Sequence, residues 1–426
     1  MADGLGLILS APASGSGKTT LTLGILRALS RQGMRIRSAK SGPDFIDPRF
    51  HEAASEQRCV NLDAWAMTPE RLRQLASGDG MVLIEGAMGL FDGAPPDGKG
   101  ATADLARHLE LPVILILDTA KQSQSVAAVA TGFANFDPSI QVVGVILNNT
   151  GSERHEKMLR DALLTTGLPV LGAIRRQIEL EHPSRHLGLV QAEERPDLEA
   201  FLDRVADVVC ESIDLSKLVS LAAPFAAPKP ESSGSPPPAQ RISVARDAAF
   251  AFAYPHLLED WHGAGAEIRT FSPLADEAPH DCDLVILPGG YPELHAGRLA
   301  ANSNFLQGLR NAASSGQVYG ECGGYMVLGD GLVDAEGHRH AMAGLLRLET
   351  SFAKRRLHLG YRSLEARGGP WRGKFTAHEF HYASTIRADG TPLFRAWNAE
   401  GESLPDMGLI NGSVSGSCAH IIDVRL

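Results

Sequence analysis

Two short segments of the chain carry residue types that do chemistry only when a tight turn holds them. The first is Pro12-Ala13-Ser14-Gly15-Ser16-Gly17-Lys18-Thr19-Thr20. It follows the apolar run Leu7-Ile8-Leu9 and precedes Leu21, Leu23, Ile25, Leu26 and Leu29 at helical spacing. Strand, glycine-rich turn and helix in that order make a phosphate cradle. Glycines let backbone N–H groups converge on phosphate oxygens, the helix N-terminus adds its dipole, Lys18 reaches the terminal phosphates and Thr19 can ligate magnesium. On this reading Gly15, Ser16, Gly17, Lys18, Thr19 and Thr20 bind ATP, although Pro12 stands where the motif's first glycine usually falls.

Three acidic segments can complete that site: Lys40-Ser41-Gly42-Pro43-Asp44-Phe45-Ile46-Asp47, Asn61-Leu62-Asp63, and Ile84-Glu85-Gly86-Ala87-Met88-Gly89-Leu90-Phe91-Asp92. Acids beyond the C-terminal ends of parallel strands can gather around Mg–ATP. Glu85, at the end of an apolar strand, is the leading metal candidate; Asp44, Asp47, Asp63 and Asp92 are either further site acids or turn and helix caps. Asn148 and Asn149, after Val145-Ile146-Leu147, either recognise adenine or cap a loop.

The second segment pairs Leu287-Pro288-Gly289-Gly290 with Val318-Tyr319-Gly320-Glu321-Cys322-Gly323-Gly324. A cysteine on such a turn is exposed as a nucleophile, and a following helix N-terminus is expected to lower its pKa. Backbone N–H groups near Gly290 and Gly323 can bind a tetrahedral oxyanion. The base must come from elsewhere: His420 is the candidate, with His378 and His381 competing.

The elements that must hold these segments can also be read. The chain has 426 residues, 44% of them hydrophobic, which is too long for one ordinary core. Residues 224–240 combine prolines with serine and glycine, as an extended linker does, dividing a domain at 1–223 from another at 241–426. Upstream, apolar runs at Leu5–Leu9, Met81–Ile84, Val113–Leu117, Val142–Leu147 and Pro169–Ile174 alternate with helical spacing. That pattern predicts an α/β fold with a parallel sheet and helices on both faces. Downstream, Leu284–Leu287 and Gln317–Tyr319 predict a second α/β domain with antiparallel character from about 345 to 420.

Five scattered cysteines without a C-x-x-C pair predict a reducing cytoplasm rather than secretion, and no apolar stretch reaches membrane-spanning length. A net charge of −10 disfavours nonspecific nucleic-acid binding.

Taken in order, APASGSGKTT, KSGPDFIDP, NLDAW, IEGAMGLFDG, LPGGYPE, GECGGYM, AHEFHY and GSCAH resemble the cobyrinic acid a,c-diamide synthase family of cobalamin biosynthesis, including its hydrogenobyrinic acid members. The resemblance covers nearly the whole chain. It implies a dethiobiotin-synthetase type of P-loop domain followed by a class I glutamine amidotransferase domain, with Cys322 as nucleophile and His420 raising its reactivity. Most class I amidotransferases carry a carboxylate two residues after that histidine; here the position is Ile422, with Asp423 one further on.

The implied chemistry is phosphorylation of a carboxylate by ATP, followed by attack of ammonia that Cys322 releases from glutamine and that reaches the acyl phosphate by a protected path between domains. Lys18, Lys40 and magnesium held by Thr19, Glu85 and Asp63 would offset charge, with Asp44, Asp47 and Asp92 orienting substrate or the metal's waters. The implied substrate is a corrin-type polycarboxylate amidated on its a and c acetates. The basic segment with Lys354, Arg355, Arg356 and Arg362 is either its carboxylate-binding surface or a solvated face. Cobyrinic acid, hydrogenobyrinic acid and nickel-sirohydrochlorin all suit the same architecture. An alternative of another class is a P-loop ATPase switch with an inactive amidotransferase module, against which Cys322, His420 and the lack of lysine at 11–16 weigh. The analogy also implies a homodimer.

Overall fold

The computed structural model describes residues 4–177, 191–225 and 234–425. The chain folds as two compact units, Met1–Ser232 and Ser233–Leu426. Of the expected linker, residues 226–233 lie outside the described residues. Its end is not free: a Cβ on Gly234 would stand 2.2 Å from the Asp260 carboxylate, and Ser235 N–H donates to Asp260 Oδ2 at 2.8 Å.

The first unit is built on β1 (Leu5–Ser10), β2 (Ile36–Ser41), β3 (Cys59–Leu62), β4 (Met81–Glu85), β5 (Val113–Asp118), β6 (Val142–Thr150) and β7 (Val170–Arg175). They pair in parallel in the order β3-β2-β4-β1-β5-β6-β7, and β8 (Ala223–Pro224) runs antiparallel beside Leu5 and Gly6. Consecutive buried residues such as Leu7, Ile8 and Leu9 mean that both faces of the sheet are covered, as a parallel sheet requires. Parallel pairing also puts all the strand C-termini on one edge. There β1 turns into α1 (Lys18–Arg31), β2 into the loop before α2 (Asp47–Ser55), and β4 into the loop containing Asp92.

The second unit begins with a sheet in which β9 (Arg241–Ala245), β10 (Glu267–Phe271), β11 (Leu284–Leu287) and β12 (Gln317–Glu321) pair in parallel in the order β10-β9-β11-β12. Strand Val414–Ser417 extends it in parallel beside β12, with Glu321 opposite Ser417. A separate antiparallel sheet includes His358–Ala366, Lys374–His381 and Ala419–Arg425. The chain crosses from one sheet to the other at Cys418. His420 therefore starts its strand beside the end of β12, where Cys322 stands, and Cys322 N–H donates to Ser417 O at 2.8 Å.

Among the described residues no helix is long and apolar enough to cross a membrane.

Candidate active sites

In the first unit the loop between β1 and α1 turns on Gly15 and Gly17, whose φ angles of 79° and 85° are left-handed and favour glycine. Ser16 Oγ donates to Ala13 O at 2.9 Å, and Lys18 Nζ donates to Ala13 O and Met88 O at 3.1 and 2.6 Å. Burial lowers the Lys18 pKa. Thr20 follows in the first turn of α1. Thr19 Oγ1 donates to Glu85 Oε1 at 2.6 Å and lies 3.4 Å from Asp47 Oδ2. Lys40, from the end of β2, donates to Asp47 Oδ2 at 2.5 Å and to Glu85 Oε1 at 2.7 Å.

His51, absent from the expected set, completes this network: its Nε2 lies 2.6 Å from Glu85 Oε2 and its Nδ1 3.5 Å from Cys59 Sγ. Asp47 and His51 are four residues apart on α2, hence on one face. Burial alone would raise the Glu85 carboxyl, but Lys40 and His51 outweigh it and hold it well below the ordinary range. Burial likewise opposes the charge on His51, yet Cys59 and Glu85 push its pKa up to about 10.

Asp63 Oδ1 accepts the N–H groups of Trp65 and Ala66 at 3.0 Å each, as a turn cap does, while the acid beside Thr19 and Glu85 is Asp47. Asn148, expected either at adenine or as a loop cap, is buried and donates from Nδ2 to Ser16 O at 2.9 Å, bracing the phosphate loop. Asp44 Oδ1 caps the entry to α2, accepting from Ile46 N and Asp47 N at 2.7 and 3.2 Å. Exposed Asp92 accepts from Gly89 N at 3.0 Å. Thr19, Asp47 and Glu85 converge as three hard oxygen donors, a set that suits magnesium.

In the second unit Cys322 sits at φ 46° and ψ −109°, a strained geometry for a side-chain-bearing residue, between β12 and the short helix Gly323–Val327. Three glycines permit the close approaches around it. A Cβ on Gly324 would meet Leu287 O at 2.0 Å. One on Gly323 would lie 2.6 Å from Pro292 Cδ and 3.3 Å from Gly290 N. One on Gly289 would lie 2.2 Å from His420 Cε1 and 3.2 Å from Cys322 Cβ. Cys322 and His420 thus flank the Gly289 backbone, with the Gly290 amide close by. Of the competing bases, His378 lies opposite His420 on the neighbouring strand, and His381 Nε2 is 3.0 Å from Glu379 Oε1.

Burial, with Glu293 nearby, pushes the Cys322 pKa well above the ordinary thiol value and overrides the expected lowering at the helix start. Burial, with His378 and His381 adding to it, holds His420 down at about 3. Both shifts favour the neutral forms.

Arg362, expected either at substrate carboxylates or on a solvated face, donates to Glu379 Oε2 from Nε and Nη2 at 3.0 and 2.7 Å. Lys354, Arg355 and Arg356 are exposed. Side-chain atoms of His358, Glu379 and His381 lie within 4.8 Å of one another, with the Arg362 guanidinium on the same carboxylate.

Residues 7–190 match the family described as the CobQ/CobB/MinD/ParA nucleotide binding domain, and residues 241–424 the CobB/CobQ-like glutamine amidotransferase domain. The chain is thus a two-domain amidotransferase with its own nucleotide-binding domain. Hydrogenobyrinate a,c-diamide synthases of Brucella anthropi and Brucella abortus are 54% and 55% identical to it, each match covering 98% of both chains. That of Rhodobacter capsulatus is 52% identical over the same shares. The chain belongs to the hydrogenobyrinate a,c-diamide synthase family.

Proposed function

We propose that the chain amidates the a and c acetate carboxylates of hydrogenobyrinic acid, using ATP and glutamine, as a ligase of cobalamin biosynthesis. The observation that carries this reading is identity above half, along the full length, to synthases named for that reaction. A carboxylate is a poor acyl acceptor because its leaving group would be oxide, so the first unit converts it to an acyl phosphate. The Gly15–Thr20 loop orients the triphosphate and Lys18 meets its terminal phosphates. Lys40 and His51 hold Asp47 and Glu85 in place. Magnesium, held by Thr19, Asp47 and Glu85, would offset charge on the phosphates.

In the second unit Cys322 attacks the glutamine carboxamide as His420 takes its proton, and Gly290 and Gly323 face the oxyanion. His420 then protonates the departing ammonia, and water hydrolyses the remaining thioester to glutamate. Exposed Lys354, Arg355 and Arg356 are left to meet substrate carboxylates. A homodimer is part of the proposal, checked by sedimentation at assay concentration.

The test is to follow product mass with Mg–ATP, glutamine and hydrogenobyrinic acid, running Cys322→Ala with glutamine or with ammonium salts. Two successive amidations by the wild type, with the variant active on ammonia alone, are expected. No mass change with either nitrogen source sinks the substrate assignment.

A further inference from the structure

The proton that leaves Cys322 makes His420 an imidazolium inside a buried site, and a charge there needs a partner. The usual partner position, two residues beyond the histidine, is the fully buried Ile422, and Asp423 Oδ1 is engaged by Val424 N–H at 2.9 Å. Glu379 is also committed, with Oε1 on His381 and Oε2 on Arg362. A different carboxylate faces the imidazole. Glu321, the last residue of β12 and the one before the nucleophile, sets its Oε2 3.8 Å from His420 Nδ1.

We propose that Glu321 is the positioning residue that orients His420 and stabilises its imidazolium while Cys322 attacks, replacing the carboxylate missing at position 422. The proposal rests on the glutaminase reading of Cys322 and His420.

The carboxylate is pinned for that task. Its Oε1 accepts the backbone N–H of Ile421, the residue after His420, at 3.3 Å and the Tyr319 hydroxyl at 3.2 Å. One oxygen is therefore tied to the strand that carries the imidazole, which leaves the other directed at Nδ1. A separation of 3.8 Å is longer than a hydrogen bond, as catalytic contacts often are before substrate closes them. The arrangement also explains why the acid can precede the nucleophile in sequence: Glu321 lies opposite Ser417 in the sheet, three residues before His420.

Charge in this pocket supplies a signature. The titratable groups around Glu321 and His420 are Tyr319 on β12, Cys322 on the turn, Glu293 after β11, and His378, Glu379 and His381 on the neighbouring strand. Burial raises Glu321 to about 8. His420 and His378 titrate far lower, at about 3 and about 4, Glu293 at about 7, and Cys322 and Tyr319 well above. Glutaminase turnover should therefore rise through pH of about 8 as the Glu321 anion forms beside His420.

The experiment compares wild type and Glu321→Gln, as full-length enzyme, for glutamine-dependent and ammonia-dependent amidation between about pH 6 and 9.5. Glutamine keeps an acceptor for Ile421 N–H and Tyr319, so a purely structural role is largely preserved. The expected result is a glutamine-dependent kcat lower by on the order of 10- to 100-fold, a glutamine KM within about twofold, loss of the limb near 8, and unchanged use of ammonia. Wild-type glutamine turnover, or a limb that survives in Glu321→Gln, overturns the proposal. Should the variant lose ammonia-dependent activity through misfolding, the wild-type profile decides: a rise through about 8 supports the proposal and a flat course from about 7 to 9 overturns it. Retention of glutamine use by Cys322→Ala is a separate result, which would bring down the glutaminase reading itself.

Discussion

A buried cation beside Glu85 ties the nucleotide site to pH. His51 is fully buried, and its pKa stands at about 10 in the folded chain against 6.5 for an ordinary imidazole. The folded state binds that proton more tightly than the unfolded state does. Its stabilisation is therefore complete below about pH 6.5 and is lost as pH rises through about 10. His51→Gln should lower the urea midpoint at about pH 6 and flatten the decline between 6.5 and 10; an unchanged slope would show that the imidazolium does not hold Glu85. Residue-scale features were legible in the sequence where a motif fixes them locally. Lys18 and Thr19 follow from their turn, and Cys322 from its flanking glycines. His51 and Glu321 acquire their partners from pairings across distant segments, which no short spacing encodes, whereas Asp47 was already among the expected site acids. Asp63 and Asp47 look alike in sequence, and only their backbone surroundings separate a turn cap from a site acid.

Elements decide whether those side chains meet. The alternation of apolar runs and helical spacing revealed the parallel sheet, since β1, β4, β5 and β6 are continuous buried runs. Ile36-Arg37-Ser38-Ala39-Lys40-Ser41 was harder to read as a strand because small and polar residues dominate it; as β2 it lies between β3 and β4 and delivers Lys40. In the second unit the decisive feature is the handover from Val414–Ser417 to Ala419–Arg425, which brings a histidine far along the chain to the end of β12. The meeting tolerates little intrusion at Gly289, where a methyl group would lie 2.2 Å from His420 Cε1. A displaced imidazole misaligns proton transfer, and shifts near 1 Å cost on the order of 100-fold. Gly289→Ala should lose about that factor in glutamine-dependent kcat while ammonia-dependent amidation persists, measured as product formed with each donor. Equal losses with both donors would place the damage outside the Cys322–His420 pair.

At the scale of the molecule the two units carry chemically unequal duties. On the proposed reading nitrogen can come from glutamine or from free ammonia, and Cys322 serves the first source only. Carboxylate activation has no such bypass, because neither source can displace oxide. Lys18, whose Nζ is held against the Ala13 and Met88 carbonyls, is the cation that meets the terminal phosphates in this reading. Lys18→Ala should consequently abolish amidation with glutamine and with ammonium salts alike, together with ADP formation, and adding ammonia should not restore it. The contrast with Cys322→Ala is the essential result, since a general loss of folding would make the two variants behave the same. A Lys18→Ala enzyme that still amidates from ammonia would mean that activation does not pass through the phosphate loop, and the assignment of ATP chemistry to the first unit would have to be withdrawn.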